Sequence, residues 1–167
     1  MKKNLNIPKK KQDVKLWVHP EGIVMGTMFL GYESDFHPGE ELPEDILNQS
    51  PPPSPFIVLQ HRDYPSPRFY NKQAIIRLEY QRSAPNRESI SVQLPVRLYL
   101  MDGSIIDGDV LESLPTDHSR LFDYLNHHND HFVRIFSTAE QVTLVNKSYI
   151  ARVSHHEPEH DNNALES

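Results

Sequence analysis

Apolar positions in this chain fall into short runs, mostly alternating with polar ones, and few stretches repeat at the helical period. Strands are predicted at about Val14–His19, Gly22–Tyr32, Phe56–Leu59 and Ala74–Tyr80. A second series opens with Ile90, Val92 and Leu94, then Val96, Leu98 and Leu100 on one parity, as a half-buried strand requires. Met101–Ser104 reads as a hairpin turn, with Asp102-Gly103 supplying positive φ. Ile105–Leu111, Phe132–Phe136, Val142–Val145 and Tyr149–Val153 complete the strands. Helix is expected only as a turn at Pro43–Asn48 and over Ser119–His127, where Leu121, Phe122 and Leu125 form an apolar face.

The breaks are as informative as the runs. Gln49–Pro55 holds Pro51, Pro52, Pro53 and Pro55, which remove donors and fix φ, so it reads as a stiff polyproline-type surface loop. Its other reading is a ligand for a proline-binding module, and Pro51, Pro52 and Pro53 are candidate interaction residues on that ground. Ser83–Arg87 interrupts the pattern and separates a first unit, 14–82, from a second, 88–154. Residues 1–13 are expected to be a disordered basic arm and 155–167 a disordered acidic tail.

Charge sharpens that division. The net charge is −6. Residues 1–13 carry five lysines and one Asp, whereas 154–167 carry three Glu and one Asp without Lys or Arg. The stretch between them is therefore acidic, a poor match to a broad phosphate-binding surface. With no cysteine, disulfides and cysteine-ligated zinc are excluded. The longest apolar run, Gly22–Gly31, is far short of a membrane-spanning helix, and no apolar stretch follows the basic start. A cytoplasmic, bacterial-style protein is expected.

Two series of landmarks follow one another in the same order. Gly22-Ile23-Val24-Met25-Gly26 answers to Ser104-Ile105-Ile106-Asp107-Gly108, and Asp45-Ile46-Leu47-Asn48 to Asp123-Tyr124-Leu125-Asn126. Phe56 and Phe132 each open an apolar run, and Asn71-Lys72 matches Asn146-Lys147, with Ile75 and Ile150 four residues beyond each Asn. The expectation is an internal duplication of a small β-rich unit. Each landmark has an architectural reason. Gly26 and Gly108 suggest bends within strands, and Asn48 and Asn126 suggest left-handed helix caps. Asp45 and Asp123 can satisfy nearby backbone donors, and Asn71 and Asn146 can start tight turns.

Val96–Val110, with its strand, Asp-Gly turn and glycine-bent second strand, resembles the opening of an Sm-like barrel. Val142–Val153 resembles that family's final turn and strand. The second unit also resembles an uncharacterised bacterial domain patterned as helix, Leu-Asn, Phe and Asn-Lys. The resemblance implies a mainly β fold of two tandem small Sm-like β-barrels, with antiparallel, strongly bent strands and one short helix in a loop of each. It also implies ring-forming, RNA-binding relatives. Here Pro115–Asn129 replaces the family's short central hairpin, and its Arg-Gly or Lys-His signature is absent. Only Asn71, Lys72, Asn146 and Lys147 lie where RNA contacts would fall.

No GxGxxG, P-loop, HExxH or nucleophile elbow is present, so no enzyme, cofactor or small-molecule substrate is expected. Asp102, Asp107, Asp109 and Glu112 do not have the spacing of a calcium loop. His127 and His131 stand four apart, but the helix is expected to end near Asn126, and no specific metal site is expected. The function expected is a non-enzymatic interaction or assembly module within a larger bacterial protein complex, partnered by another protein or by itself. Trp17, on a strand-like segment straight after the arm, is a candidate docking residue. The alternative is an Sm-like RNA-binding protein using the two Asn-Lys turns and the basic arm.

Overall fold

The computed structural model describes residues 9–48, 54–82, 92–112, 118–127, 130–138 and 140–156. The proline loop Pro51–Pro53, the interruption Ser83–Arg87 and most of the acidic tail lie outside the described residues. The first half holds β1 (Lys9–Val18), β2 (Gly22–Gly31), α1 (Pro43–Leu47), β3 (Phe56–His61), β4 (Arg68–Asn71) and β5 (Ile75–Gln81). The second holds β6 (Val92–Leu100), β7 (Ile105–Glu112), α2 (His118–His127), β8 (Phe132–Phe136), β9 (Gln141–Asn146) and β10 (Ile150–His155). One-turn 3-10 helices, Lys72–Ala74 and Lys147–Tyr149, precede β5 and β10. No helix among the described residues is long and apolar enough to cross a membrane.

The mainly β expectation holds, but the strands form one continuous antiparallel sheet rather than two separately closed barrels. Its order is β10-β6-β7-β8-β9-β5-β1-β2-β3-β4. Each half thus has the same internal order, with its fifth strand first, and the halves meet where β9 pairs with β5. Registers agree as well as order. Val14 lies opposite Gly26 as Val96 lies opposite Gly108, and Phe56 opposite Asn71 as Phe132 opposite Asn146. Trp17 faces Arg77 and Tyr99 faces Arg152, each just before a register shift. In both places the guanidinium lies on the aromatic ring, at 3.8 and 3.9 Å from its centroid.

Two apolar cores follow from this arrangement. One gathers Leu16, Met28, Leu59, Ile75 and Leu78 from the first half with Phe132, Phe136, Val142 and Leu144 from the second. The other gathers Val96, Leu98, Ile106, Ile135 and Val145, joined by Ile76. Successive residues of a strand point to opposite faces, so β9 sends Leu144 to one core and Val145 to the other. Its residues from Val142 to Asn146 are all buried.

Several local expectations are revised. β1 begins at Lys9 and not Val14, so Lys9–Asp13 belongs to a strand paired with β2 rather than to an arm. β4 is an additional strand, with Pro67 immediately before it. In the hairpin turn only Gly103 has positive φ (86°), and Asp102 instead accepts hydrogen bonds from the Ser104 amide and hydroxyl. Asn48 is not left-handed, with φ −99° and ψ 12°. Asp45 does satisfy a backbone donor, accepting from the Leu42 amide at 2.7 Å. Asn71 and Asn146 open tight turns as expected, accepting from the Gln73 and Ser148 amides.

Candidate functional site

Several polar side chains of this chain meet at the joint between its halves. β5 and β9 pair over five positions, from Arg77 opposite Val145 to Gln81 opposite Gln141. Two asparagines reinforce this ladder. Asn48, just after α1, accepts from the Phe132 amide at 2.9 Å and donates to the Phe132 carbonyl at 3.2 Å, spanning 84 positions of sequence. Asn146, at the end of β9, donates through Nδ2 to the Ile75 carbonyl at 3.0 Å and the Lys72 carbonyl at 3.5 Å. Asn is suited to both tasks, because its amide presents a donor and an acceptor on one short side chain. Neither role is visible in local sequence, since both partners lie in the other half.

A charged cluster completes the joint. Glu44 is buried on α1 and accepts a 2.5 Å hydrogen bond from the Tyr80 hydroxyl. Arg134 of β8 places Nη1 3.5 Å from Glu44 Oε1, an ion-pair distance without hydrogen-bond geometry. Burial, and then the Glu44 charge, push the Tyr80 phenol well above its usual range, so it stays a donor. Removing the cation leaves a buried carboxylate with only the phenol. Arg134→Ala is therefore expected to cost about 1–3 kcal/mol in unfolding free energy, measured by urea titration, with Arg134→Lys milder.

Beside the joint lies a cleft of about 370 Å³ lined by Asn71, Lys72, Gln73, His131, Asn146 and Ser148. It brings together three of the four residues expected for RNA contact. Their polar groups already have work in the fold: both Asn acceptors hold turns, and Lys72 Nζ donates to the Ile46 carbonyl at 2.7 Å. Burial lowers the pKa of Lys72, and likewise that of Lys147, against a smaller raising effect of Asp130.

Other sequence candidates are dispersed. Trp17 sits in β1, which pairs on both sides, and its ring is covered by Arg77, so this segment is not a free docking strand. Asp107 binds Arg97 through two hydrogen bonds, 2.7 and 3.0 Å, which hold its carboxyl below the usual carboxylate range. Among the described residues, no three His, Asp or Glu side chains are placed to hold a metal ion. Gly26 recurs at Gly108 in the same register, whereas Asp123 and Asn126 lie within α2, where Asn126 is not a left-handed cap and donates to the Phe122 carbonyl at 2.8 Å.

What sequence reading missed are the two ends of the sheet. Among the described residues, β4 and β10 each pair on one side only. On the outward face of β3 and β4, Phe56, Val58 and Phe69 are exposed, Phe69 at 68%. A signal for them exists: β3 alternates apolar residues on both parities, which a strand with one solvated face does not require. Searches against family models, curated proteins and solved structures find no match for this chain.

Proposed function

We propose that this chain is two copies of one Sm-like β unit acting as a non-enzymatic interaction and assembly module within a larger protein complex. The observation that carries the proposal is the end of the sheet formed by β3 and β4. An unpaired strand offers a row of backbone donors and acceptors, and natural proteins commonly blunt such edges with charge. Here the edge carries Phe56, Val58 and Phe69 together, an apolar patch beside open backbone groups. Strand addition supplies both terms at once, through main-chain hydrogen bonds and side-chain contacts. Pro67 limits the open edge to a short strand, which restrains indiscriminate pairing. RNA binding through Asn71, Lys72, Asn146 and Lys147 has weaker support, because the charge balance is acidic and Lys72 is already tied to α1.

The test compares the wild type with Val58→Glu/Phe69→Arg, both exposed positions that a folded single chain tolerates. Light scattering on the pure protein, and size fractionation in extract of the source cells, read the particle mass. The wild type is expected above its chain mass of 19.4 kDa in at least one of the two, and the variant at that mass in both. A wild type that runs as a lone chain in both preparations overturns the proposal.

A further inference from the structure

The elements that make the internal joint are present a second time, and the second set lies at the two ends of the sheet. The joint has two sides. The first half contributes β5, α1 with Asn48, and the carbonyls of Lys72 and Ile75, while the second half contributes β8 and β9 with Phe132, Arg134, Leu144 and Asn146. Order and register carry each side onto the other half. β10, α2 with Asn126, and the carbonyls of Lys147 and Ile150 correspond to the first side. β3 and β4 with Phe56, Val58, Phe69 and Asn71 correspond to the second. One end of the sheet is therefore the complement of the other.

We infer that the occupant of these ends is a second copy of this chain, docked head to tail so that β10 of one copy pairs with β4 of the next as β5 pairs with β9. This rests on the assembly reading above and names its partner. The inherited register sets Arg152 opposite Tyr70 and Val153 opposite Phe69. Asn126, whose Nδ2 donates to the Phe122 carbonyl of its own helix in the single chain, turns to the Phe56 backbone on docking, and Asn71 meets the carbonyls of Lys147 and Ile150.

Burial supports the match on both sides. Leu144 is fully buried where Phe69 is exposed, and Phe132 is buried where Phe56 is exposed. On the opposite end, Ile75, Leu78 and Leu47 are buried, whereas Ile150, Val153 and Leu125 are only partly covered at the rim of the second core. Among the described residues, each end thus lacks the cover that the joint provides internally.

The two sets differ at several positions, Tyr80 answering to His155, Val142 to Pro67 and Leu144 to Phe69, and one of the exchanges is itself complementary. Glu44 and Arg134 face each other across the joint, and the residues at those positions in the other set are Phe122 and Val58. Both are apolar and exposed, at 66% and 46%. Where the joint has a charge pair inside, the second set has an apolar pair outside, so the two members match within each set. Docking that matched Glu44 with Val58, or Phe122 with Arg134, would strand a charge against an apolar partner. This exchange selects the β10–β4 pairing between copies and keeps the β5–β9 pairing within one. A head-to-tail contact of this kind is heterologous, so it closes into a ring or extends as a filament.

The chain has no cysteine, which makes disulfide trapping clean. Phe69→Cys and Val153→Cys are prepared as separate proteins, mixed and oxidised. Residues directly opposite in antiparallel strands have Cα atoms about 4.5–5.5 Å apart, within disulfide range. The expected result is a disulfide-linked species of twice the chain mass, at least several-fold more abundant in the mixture than in either protein alone. Phe69→Cys mixed with Glu21→Cys should give little. Wild-type protein is followed in parallel by light scattering over a concentration series, where the mass is expected to rise to a multiple of the chain. Strong cross-linking of Phe69→Cys with itself would show edge-to-edge pairing and overturn the head-to-tail arrangement. A wild type that stays a single chain when pure overturns the second copy as partner. If the same protein is found in a larger particle in cell extract, the assembly reading survives with a different partner; if not, both fail.

Discussion

Leu144→Ala is expected to lower the free energy of unfolding by about 2–5 kcal/mol, the range for truncating a fully buried leucine. Leu144 is 0% exposed and lies opposite Leu78 in the β5–β9 ladder. Its side chain enters the core of the first half although its strand belongs to the second. Loss of three carbons there opens a cavity that neither half can close alone, because the adjoining residue, Val145, is committed to the other core. The matching experiment is Phe69→Ala at the corresponding position of β4. Exposed in the single chain, it should change the stability of a lone chain by no more than about 0.5 kcal/mol. Urea unfolding of both variants under dilute conditions measures the contrast.

Gly108→Ala is expected to destabilise by about 1–3 kcal/mol or more, and Gly26→Ala similarly. A Cβ on Gly108 would stand 2.8 Å from the Phe136 carbonyl oxygen, and one on Gly26 would stand 2.7 Å from that of Gln60. Both obstacles are backbone, which cannot swing away as a side-chain tip can. The opposing benefit, a less flexible unfolded chain, amounts to only about 0.4–1 kcal/mol, so the clash decides the sign. Because Gly26 and Gly108 meet equivalent residues of β3 and β8, the two losses should be alike. Thermal unfolding of each single variant checks both sign and similarity.

The glycines illustrate what the sequence made legible. A glycine inside an apolar run must mean a close approach, and it does, although the neighbouring strand is not written beside it. The recurrence of Asp-x-Leu-Asn, Phe and Asn-Lys was equally readable, but its reason was not. Asn48 looked like a helix cap because capping is the local task of such a residue, whereas its hydrogen bonds reach Phe132, 84 positions away. β4 was hidden by Pro65 and Pro67 and by having only four residues, too few for alternation to register. The joint itself is edge pairing between strands far apart in the chain, and period-two patterning reports which face is buried without naming the neighbour. Arg134 and Glu44 were unremarkable in sequence for the same reason, since each acquires its meaning only across β8 and α1.

Hydrogen–deuterium exchange of the wild type at low and high protein concentration tests the central claim most directly, because it reads backbone protection strand by strand. Open edge amides should exchange fast in dilute protein and become protected on pairing. The expected result is a concentration-dependent gain confined to Arg68–Asn71 and Ile150–His155, with Ile75–Gln81 and Gln141–Asn146 protected throughout. Unchanged exchange at both sheet ends when concentration rises, or a gain located in β6 and β7 instead, would contradict it.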